Sequence, residues 1–383
     1  MRVIKDPKVL TSNHIPDKLL FRDELKKRIQ DKVRIGVGNI LLIGDTGTGK
    51  TVTIKKAIEE MNNVLLVDIN CSIENTFATI TKKTIKTLKN LNYLESGKSR
   101  GQLAEDLIRV LKTKRQKKVV FLFDEIDKLI EKERDHQEIL TPILENTTSN
   151  IILISNRYEA LKKLESRIES RLHPEKIIVE RYHAGQITDI LFSRAEEGLE
   201  KNSYKQIVLA HIARHCYQTS GDIRDALSLL FEVSQLAESK QQKITLELLD
   251  EAQEKLEEIE FERMLADLTL HQLIIVAGVA KLSCEEVEGY AEINKLYNFY
   301  EITVKNQGSK PVGFRQFENI IKKLKFKSFV RIELRTPKNR RGRLSVVFPV
   351  FNVRGFMERY FNPSNEINEN TSPPPPSAIS FDP

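Results

Sequence analysis

The most constraining feature of the sequence is a glycine-rich loop between an apolar run and a helical one. Residues 41–53 are LLIGDTGTGKTVT, and residues 44–51 satisfy the pattern G-x-x-x-x-G-K-[ST]. A loop that turns its backbone N–H groups toward phosphate needs positive φ angles and little side-chain bulk, which glycine provides. A flexible turn is the alternative, but strand, loop and helix stand in the order that the motif requires. The segment predicts a phosphate-binding loop in an α/β fold.

The residues of this loop and of the helix start that follows it have separable roles. Lys50 supplies positive charge to the β- and γ-phosphates, the Thr51 hydroxyl ligates Mg²⁺, and the helix N-terminus adds its dipole. The predicted cofactors are therefore ATP or ADP and Mg²⁺. The predicted nucleotide contacts are Gly44, Asp45, Thr46, Gly47, Thr48, Gly49, Lys50, Thr51 and Val52.

Five apolar runs of strand length alternate with helix-length segments between residues 39 and 180: NILLIG, VLLVDI, VVFLFD, NIILIS and KIIVE. Such runs are typical of a parallel sheet buried on both faces. Asp124 ends the third run and is predicted to hold the metal, while Glu125 polarises an attacking water. Asn156 follows the fourth run, where it either orients that water or simply forms a turn.

The rest of the chain differs in pattern from this α/β part. Residues 183 to about 265 are predicted to be helical, because apolar residues recur at three- and four-residue steps. Residues from about 266 to 361 predict helices followed by a hairpin, which fits a winged helix. The proline-rich residues 362–383 are predicted to be disordered. The domain prediction is thus 1–180, 181–265, 266–361 and a tail, with a basic helical segment at about 74–118.

Composition limits the function classes. The 383 residues carry a net charge of +7, and Lys and Arg are concentrated in the last domain and in residues 74–118. Clustered positive charge suits a polyanion partner, although a solvated lysine surface is the alternative. The sequence shows neither a membrane-spanning run nor a secretory signal, and its three cysteines are far apart. We expect a cytoplasmic protein without a membrane partner.

Further stretches give the sequence a family resemblance. HIPDKLLFRDELKKRI, VDINC, RYHAGQITDILFSRAEEG and SGDIRDALSLL, together with the loop and the acidic strand end, resemble archaeal origin-recognition (Orc/Cdc-type) initiators of the AAA+ ATPase superfamily. The similarity covers roughly residues 14 to 360. It implies an AAA+ five-stranded parallel sheet, a helical lid and a C-terminal winged-helix DNA-binding domain.

The resemblance also implies roles for five further residues. Tyr182 would lie near the adenine, Arg194 would contact the nucleotide, and Arg224 of the lid would reach the γ-phosphate. The segment ESRIESRL would offer Arg171, or alternatively Arg167, to the ATP of a neighbouring subunit. A surface ion pair is the alternative for each arginine, although the guanidinium group suits phosphate well.

Two basic regions are candidates for DNA binding. In GFRQFENIIKKLKFK, Phe314, Phe317, Ile321 and Leu324 are predicted to form a buried helix face, opposite an exposed face that suits a recognition helix. The stretch RTPKNRRGR would form the wing at a hairpin tip. The predicted contacts in this domain are Arg315, Gln316, Asn319, Lys322, Lys323, Arg335, Lys338, Arg340, Arg341 and Arg343. By resemblance, the segment at 74–118 would touch duplex DNA through Lys82, Lys83, Lys86, Arg100 and Lys112, or else present a solvated face.

Together with these patterns, the resemblance implies an ATP-dependent replication initiator that binds origin duplex DNA and helps load the replicative helicase. It would act either alone or paired with a paralogous initiator. ATP hydrolysis is expected to be slow, so that ATP and ADP act as a conformational switch. A clamp-loader or helicase-type ring subunit is one alternative, although it has no need of a basic winged helix. A signal-responsive P-loop transcription regulator is another, although it would lack the GDIR lid motif.

Overall fold

The five apolar runs form one parallel sheet, as the sequence predicts. Its strand order is β2-β3-β4-β1-β5, so β1 lies between β4 and β5 near one edge. Because the strands are parallel, their carboxyl ends share one edge, where Asp124 and the residues after β1 and β4 meet. The strands are β1 (Ile40–Ile43), β2 (Val64–Asn70), β3 (Lys118–Asp124), β4 (Asn150–Ser155) and β5 (Glu175–Ile178).

The computed structural model describes residues 1–36, 38–89, 97–113, 118–131, 137–146, 149–157, 159, 162–335 and 344–361. The chain divides into two units, Met1–Gln253 and Glu254–Pro383. The sheet belongs to the first unit.

Helices cover both faces of this sheet, which explains why its strands are continuously apolar. In β3, Phe121 and Phe123 pack into one core, whereas Val120 and Leu122 pack into the core on the opposite face. The helices of this layer are α1 (Asp23–Ile35), α2 (Lys50–Glu59), α3 (Phe77–Lys89), α4 (Arg100–Thr113), α5 (Ile126–Ile130), α6 (Leu140–Asn146) and α7 (Ser166–Leu172).

A helical segment follows the sheet, and the N-terminus of the chain packs against it. Ile4 forms an antiparallel bridge with Leu199, and Leu10 is fully buried. The N-terminal segment is therefore an integral part of the first unit. The helices of this segment are α8 (Ala184–Gly198), α9 (Gln206–Gln218), α10 (Ile223–Ser239) and α11 (Leu246–Ala266), whose residues from Glu254 onward belong to the second unit.

The second unit is a winged helix, in which helices pack on a three-stranded sheet of order β6-β8-β7. The sequence predicted its first and third helices and the hairpin. It did not reveal the short strand Ala291–Glu292, the second helix, Ile293–Asn306, or the last helix, Val353–Tyr360. Its elements are α12 (Leu270–Glu285), β6 (Ala291–Glu292), α13 (Ile293–Asn306), α14 (Phe314–Phe326), β7 (Val330–Arg335), β8 (Leu344–Pro349) and α15 (Val353–Tyr360).

Helix α14 buries the predicted apolar face with one exception. Phe317, Ile321 and Leu324 are at most 1% exposed, whereas Phe314 is 38% exposed. The prediction is wrong for Phe314 because this residue opens the helix, where its ring packs edge-on against Tyr297 at the margin of the core. None of the helices in the described ranges combines the length and the hydropathy of a membrane span.

Candidate functional site

The loop between β1 and α2 is shaped by glycines with left-handed backbone angles. Gly47 has a φ of 68° and Gly49 a φ of 80°. A Cβ atom added to Gly49 would lie 2.6 Å from the hydroxyl oxygen of Tyr182, closer than side chains approach. The backbone angle and the lack of space therefore both require glycine here. The loop has the open backbone that an anion site at the start of α2 needs.

Lys50 begins α2 and is held inside the loop. Its side-chain nitrogen donates to the carbonyl oxygens of Gly44 at 2.8 Å and Asp45 at 2.5 Å. Burial lowers the pKa of Lys50, although the carboxylates of Asp124 and Asp45 partly oppose this effect. A buried ammonium group at a helix start, surrounded by loop backbone, fits the recognition of a phosphate chain.

Thr51 and Asp124 meet at the carboxyl end of β3. The Thr51 hydroxyl donates to the Asp124 carboxylate at 2.7 Å. Burial raises the pKa of Asp124, and the hydrogen bond from Thr51 opposes this rise. No group of three or more His, Cys, Asp or Glu side chains with metal-binding geometry occurs in the described residues. The pair nevertheless fits Mg²⁺, which takes few protein oxygens and completes its shell with water and phosphate.

Glu125 follows directly and has a left-handed φ of 53°. Such a backbone is uncommon for a residue other than glycine and often marks a functional position. The Glu125 carboxylate accepts a hydrogen bond from the Ser72 hydroxyl. Asn156 follows β4, the neighbour of β3, so the two side chains reach the same edge of the sheet. This arrangement can place a water molecule beside a bound phosphate.

These side chains line one cavity of about 440 Å³ in the first unit. The N-terminal segment, the glycine loop, the strand ends and the helices after the sheet all contribute to its wall. Two of the predicted loop residues, Gly44 and Asp45, do not line this cavity. The predicted residues that the cavity does bring together are Thr46, Gly47, Thr48, Gly49, Lys50, Thr51, Val52, Asp124, Glu125, Asn156, Tyr182, Arg194 and Arg224.

Arg22 contacts two residues of the cavity wall, Thr48 and Tyr182, and the sequence did not identify it. Its guanidinium donates to the carbonyl oxygens of Thr48 at 3.0 Å and Glu180 at 2.9 Å. The same group lies 3.9 Å from the centre of the Tyr182 ring. Burial lowers the pKa of Arg22 and raises that of Tyr182. Arg22 thus joins the glycine loop to the segment after β5.

Arg194 is 6% exposed and holds the N-terminal segment along α8. Its guanidinium donates to the carbonyl oxygens of His14 at 3.0 Å and Val9 at 3.3 Å. Burial lowers the pKa of Arg194. The side chain reaches the cavity, but these two hydrogen bonds give it a structural task that the sequence did not suggest. Its contact with a nucleotide stays a prediction.

Arg224 reaches the cavity from the first turn of α10 and is paired with Asp222. The shortest contact joins Arg224 Nη2 and Asp222 Oδ2 at 2.6 Å. About half of the Arg224 side chain is exposed, whereas only 10% of the Asp222 side chain is. Arg224 lines the cavity, and its contact with a terminal phosphate stays a prediction.

Helix α14 presents a polar face to solvent in the second unit. The exposed residues of this face are Arg315, Gln316, Asn319, Lys322 and Lys323. These side chains can donate to phosphates and base edges, which is the chemistry of a recognition helix.

The predicted wing is described only at its base. Arg335 pairs with Glu288 and lies 4.9 Å from the centre of the Phe348 ring. Lys338, Arg340, Arg341 and Arg343 lie outside the described residues.

In its described residues, the basic segment between β2 and β3 contains the helices α3 and α4, whose apolar faces join the core of the sheet. Lys82, Lys86 and Lys112 are exposed. Lys83 pairs with Glu74 at 2.9 Å, and Arg100 pairs with Glu138 at 2.6 Å. The predicted DNA contacts here stay predictions.

Family models match three consecutive parts of the chain. The AAA model, for the ATPase family associated with various cellular activities, matches residues 40–176. The Cdc6 AAA+ ATPase-type lid domain matches residues 188–254, and the CDC6 C-terminal winged helix domain matches residues 263–349. The chain belongs to the Orc1/Cdc6 family of AAA+ proteins. The predicted family and fold class are confirmed.

Curated Orc1/Cdc6 relatives cover most of the chain. It is 28% identical over 368 residues to the ORC1-type DNA replication protein of Thermococcus kodakarensis, covering 89% of this chain and 87% of the relative. It is 29% identical over 339 residues to the ORC1-type DNA replication protein 1 of Archaeoglobus fulgidus, a match that covers 84% of this chain and 82% of the relative. These relatives place the chain among replication proteins.

Solved structures of the Orc1/Cdc6 family show the same fold. The Aeropyrum pernix ORC1 protein in complex with DNA has a TM-score of 0.73 and 22% identity, covering 94% of this chain and 97% of that chain. The crystal structure of Cdc6p from Pyrobaculum aerophilum has a TM-score of 0.59 and 20% identity, and the match covers 93% of this chain and 97% of that chain.

The two arginines suggested for a neighbour's ATP lie away from the cavity of this Orc1/Cdc6 chain. Both are on α7 and face Glu145 on α6; Arg171 forms the closer ion pair, and the Arg167 nitrogen is 4.0 Å away. The two guanidinium groups share one carboxylate at the surface. The structure leaves the choice between them open.

Two residues of this Orc1/Cdc6 site were missed by sequence reasoning. Arg22 gave no signal, because its partners Thr48 and Glu180 are 26 and 158 residues away. The sequence did contain a signal for Asp222, since an aspartate directly before a helical run is a common N-cap. Asp222 does not itself line the cavity, but it pairs with Arg224, which does.

Proposed function

We propose that this chain is an ATP-binding initiator that recognises duplex DNA at replication origins. The observation that carries the proposal is that the glycine loop, Thr51 with Asp124, Glu125 and Arg224 all line the same cavity. A winged helix with an exposed cationic helix face accompanies it in the same chain. The proposed domains are residues 1–180 for the nucleotide, 181–265 for the lid and 266–361 for DNA, followed by a disordered tail at 362–383.

The cavity residues have separate roles in nucleotide binding and in hydrolysis. The loop amides and Lys50 bind the phosphates, and Thr51 with Asp124 holds Mg²⁺. Bound Mg²⁺ neutralises charge that develops on the phosphate oxygens. Glu125 polarises a water molecule, Asn156 orients it, and Arg224 approaches the terminal phosphate from the lid.

We expect slow hydrolysis because Arg224 reaches the cavity from a helix that follows the sheet. Arg224 comes from the same chain as the glycine loop, so a closed lid holds ATP without a partner subunit. We propose that the difference between ATP and ADP sets conformation rather than powering continuous work.

Duplex DNA is the proposed partner of the winged helix and of the α3–α4 segment. The similar ORC1 protein of Aeropyrum pernix has been solved in complex with DNA, which supports this assignment. Two separate binding surfaces on one duplex would bend the DNA between them. This bending would add specificity without many base contacts.

Two protein partners complete the proposal. One is the replicative helicase, which the initiator helps to load. The other is a paralogous initiator, whose ATP would receive Arg171 or Arg167. Such a protein would work in the cytoplasm, associated with the nucleoid.

Replacing Lys322 and Lys323 with alanine is expected to lower duplex affinity and to flatten its salt dependence. Each lost phosphate contact reduces the slope of log affinity against log salt by about 0.9. The slope for the double variant should therefore fall by about two units, measured by fluorescence anisotropy over a series of salt concentrations.

The matched control replaces Lys201 and Lys243, two exposed lysines of the first unit that no proposed contact uses. It removes the same charge and should leave the slope nearly unchanged. Equal slopes for wild type and the Lys322/Lys323 variant would remove α14 from the DNA site.

A further inference from the structure

Asp222 joins the lid to the glycine loop through one buried carboxylate. It is the N-cap of α10, where Oδ1 accepts the backbone N–H of Arg224 at 2.9 Å. A Cβ atom added to Gly47 would lie 1.8 Å from the same oxygen. The carboxylate therefore lies directly against the loop that is proposed to bind phosphate.

The same carboxylate binds the Arg224 side chain in a fork. Arg224 Nε lies 3.0 Å from Oδ1, and Arg224 Nη2 lies 2.6 Å from Oδ2. Fork geometry of this kind is also how arginine binds a phosphate. One edge of the guanidinium is thus occupied by an internal anion.

The charges around this pair keep Asp222 ionised. Burial tends to raise the pKa of Asp222, but hydrogen bonds from the Arg224 side chain and backbone outweigh it and lower the pKa. Lys50 also lies within electrostatic range, since Asp222 raises and Arg224 lowers its pKa. A charged carboxylate therefore stands among the cations proposed to receive the phosphate chain.

We propose that Asp222 determines the preference of this site between ATP and ADP. Its carboxylate competes with the terminal phosphate of ATP for the Arg224 fork. ADP lacks the phosphate that would need Arg224, so its binding does not require the exchange. This inference rests on the proposed nucleotide function of the cavity.

Asp222→Asn separates the charge of this residue from its role as a helix cap. Asparagine caps helices as well as aspartate does, but it is neutral and binds guanidinium weakly. The ratio of the ADP to the ATP dissociation constant, measured by calorimetry with Mg²⁺, should rise about fivefold.

Two companion variants identify the cause. Asp225→Asn removes the same charge from an exposed position in the same helix turn, and it should leave the ratio within about a factor of two. In an Arg224→Gln background, Asp222→Asn should no longer change the ratio, because the competition needs Arg224. Asp222→Ser, which also caps helices, replaces the asparagine variant if that variant does not fold.

The possible outcomes distinguish this inference from the proposed nucleotide function of the cavity, on which it rests. An unchanged or lower ratio in Asp222→Asn overturns the competition, and so does the same rise in the Arg224→Gln background. A wild-type chain that binds neither nucleotide would instead overturn the proposed function of the cavity.

Discussion

Lys50→Ala is expected to lower ATP and ADP affinity by a factor on the order of 100 while leaving most duplex affinity in place. The buried ammonium group of Lys50 lies at the start of α2, inside the loop that is proposed to cradle the phosphates. Alanine removes that charge and leaves no donor in its place. Equilibrium binding of a fluorescent nucleotide, followed by duplex binding in the same preparation, measures both effects.

Lys56→Ala is the matched control for this experiment. Lys56 lies on the same helix but outside the cavity, where it pairs with Glu59 at 3.3 Å. Its loss should change neither nucleotide nor DNA binding appreciably, because Lys56 does not line the cavity and no proposed DNA contact uses it. If Lys50→Ala kept its fold but lost duplex binding along with nucleotide, separate nucleotide and DNA modules would be the wrong description of this chain.

Glu125→Gln is expected to retain ATP while slowing hydrolysis by about 100-fold to 10,000-fold, the usual contribution of a general base. Glutamine keeps the size of the side chain and can still accept the hydrogen bond from Ser72. It cannot take a proton from water. Single-turnover phosphate release, with nucleotide retention measured in parallel, separates the two properties.

Glu131→Gln is the matched control for this experiment. Glu131 ends α5 outside the cavity and pairs with Arg157 at 3.4 Å. Hydrolysis in that variant should match wild type. Normal turnover in Glu125→Gln would show that another group activates the water.

Much of the first unit follows from local sequence rules. The strands were predictable because both faces of the sheet are covered, which leaves continuous apolar runs such as that of β3. The meeting of Thr51 and Asp124 was predictable because a motif fixes one residue and a strand end fixes the other.

The remaining contacts depend on tertiary structure that no local pattern encodes. Arg22, Arg194 and Asp222 bind groups that the fold brings close to them, in part from distant segments. Helix α13 escaped notice because its buried residues, including Tyr300, are few and mixed with polar ones. Phe314 was assigned to the core by periodicity alone, although a helix end extends beyond the core.

Footprinting on genomic DNA with ATP and with ADP tests the central claim most directly, which is that bound nucleotide decides how the chain engages duplex DNA. The account predicts protection at discrete sites at modest ionic strength, with an extent that differs between the two nucleotides. It also predicts that Lys50→Ala gives one footprint whichever nucleotide is present. Absence of duplex binding, or identical wild-type footprints with ATP and ADP, would contradict the account.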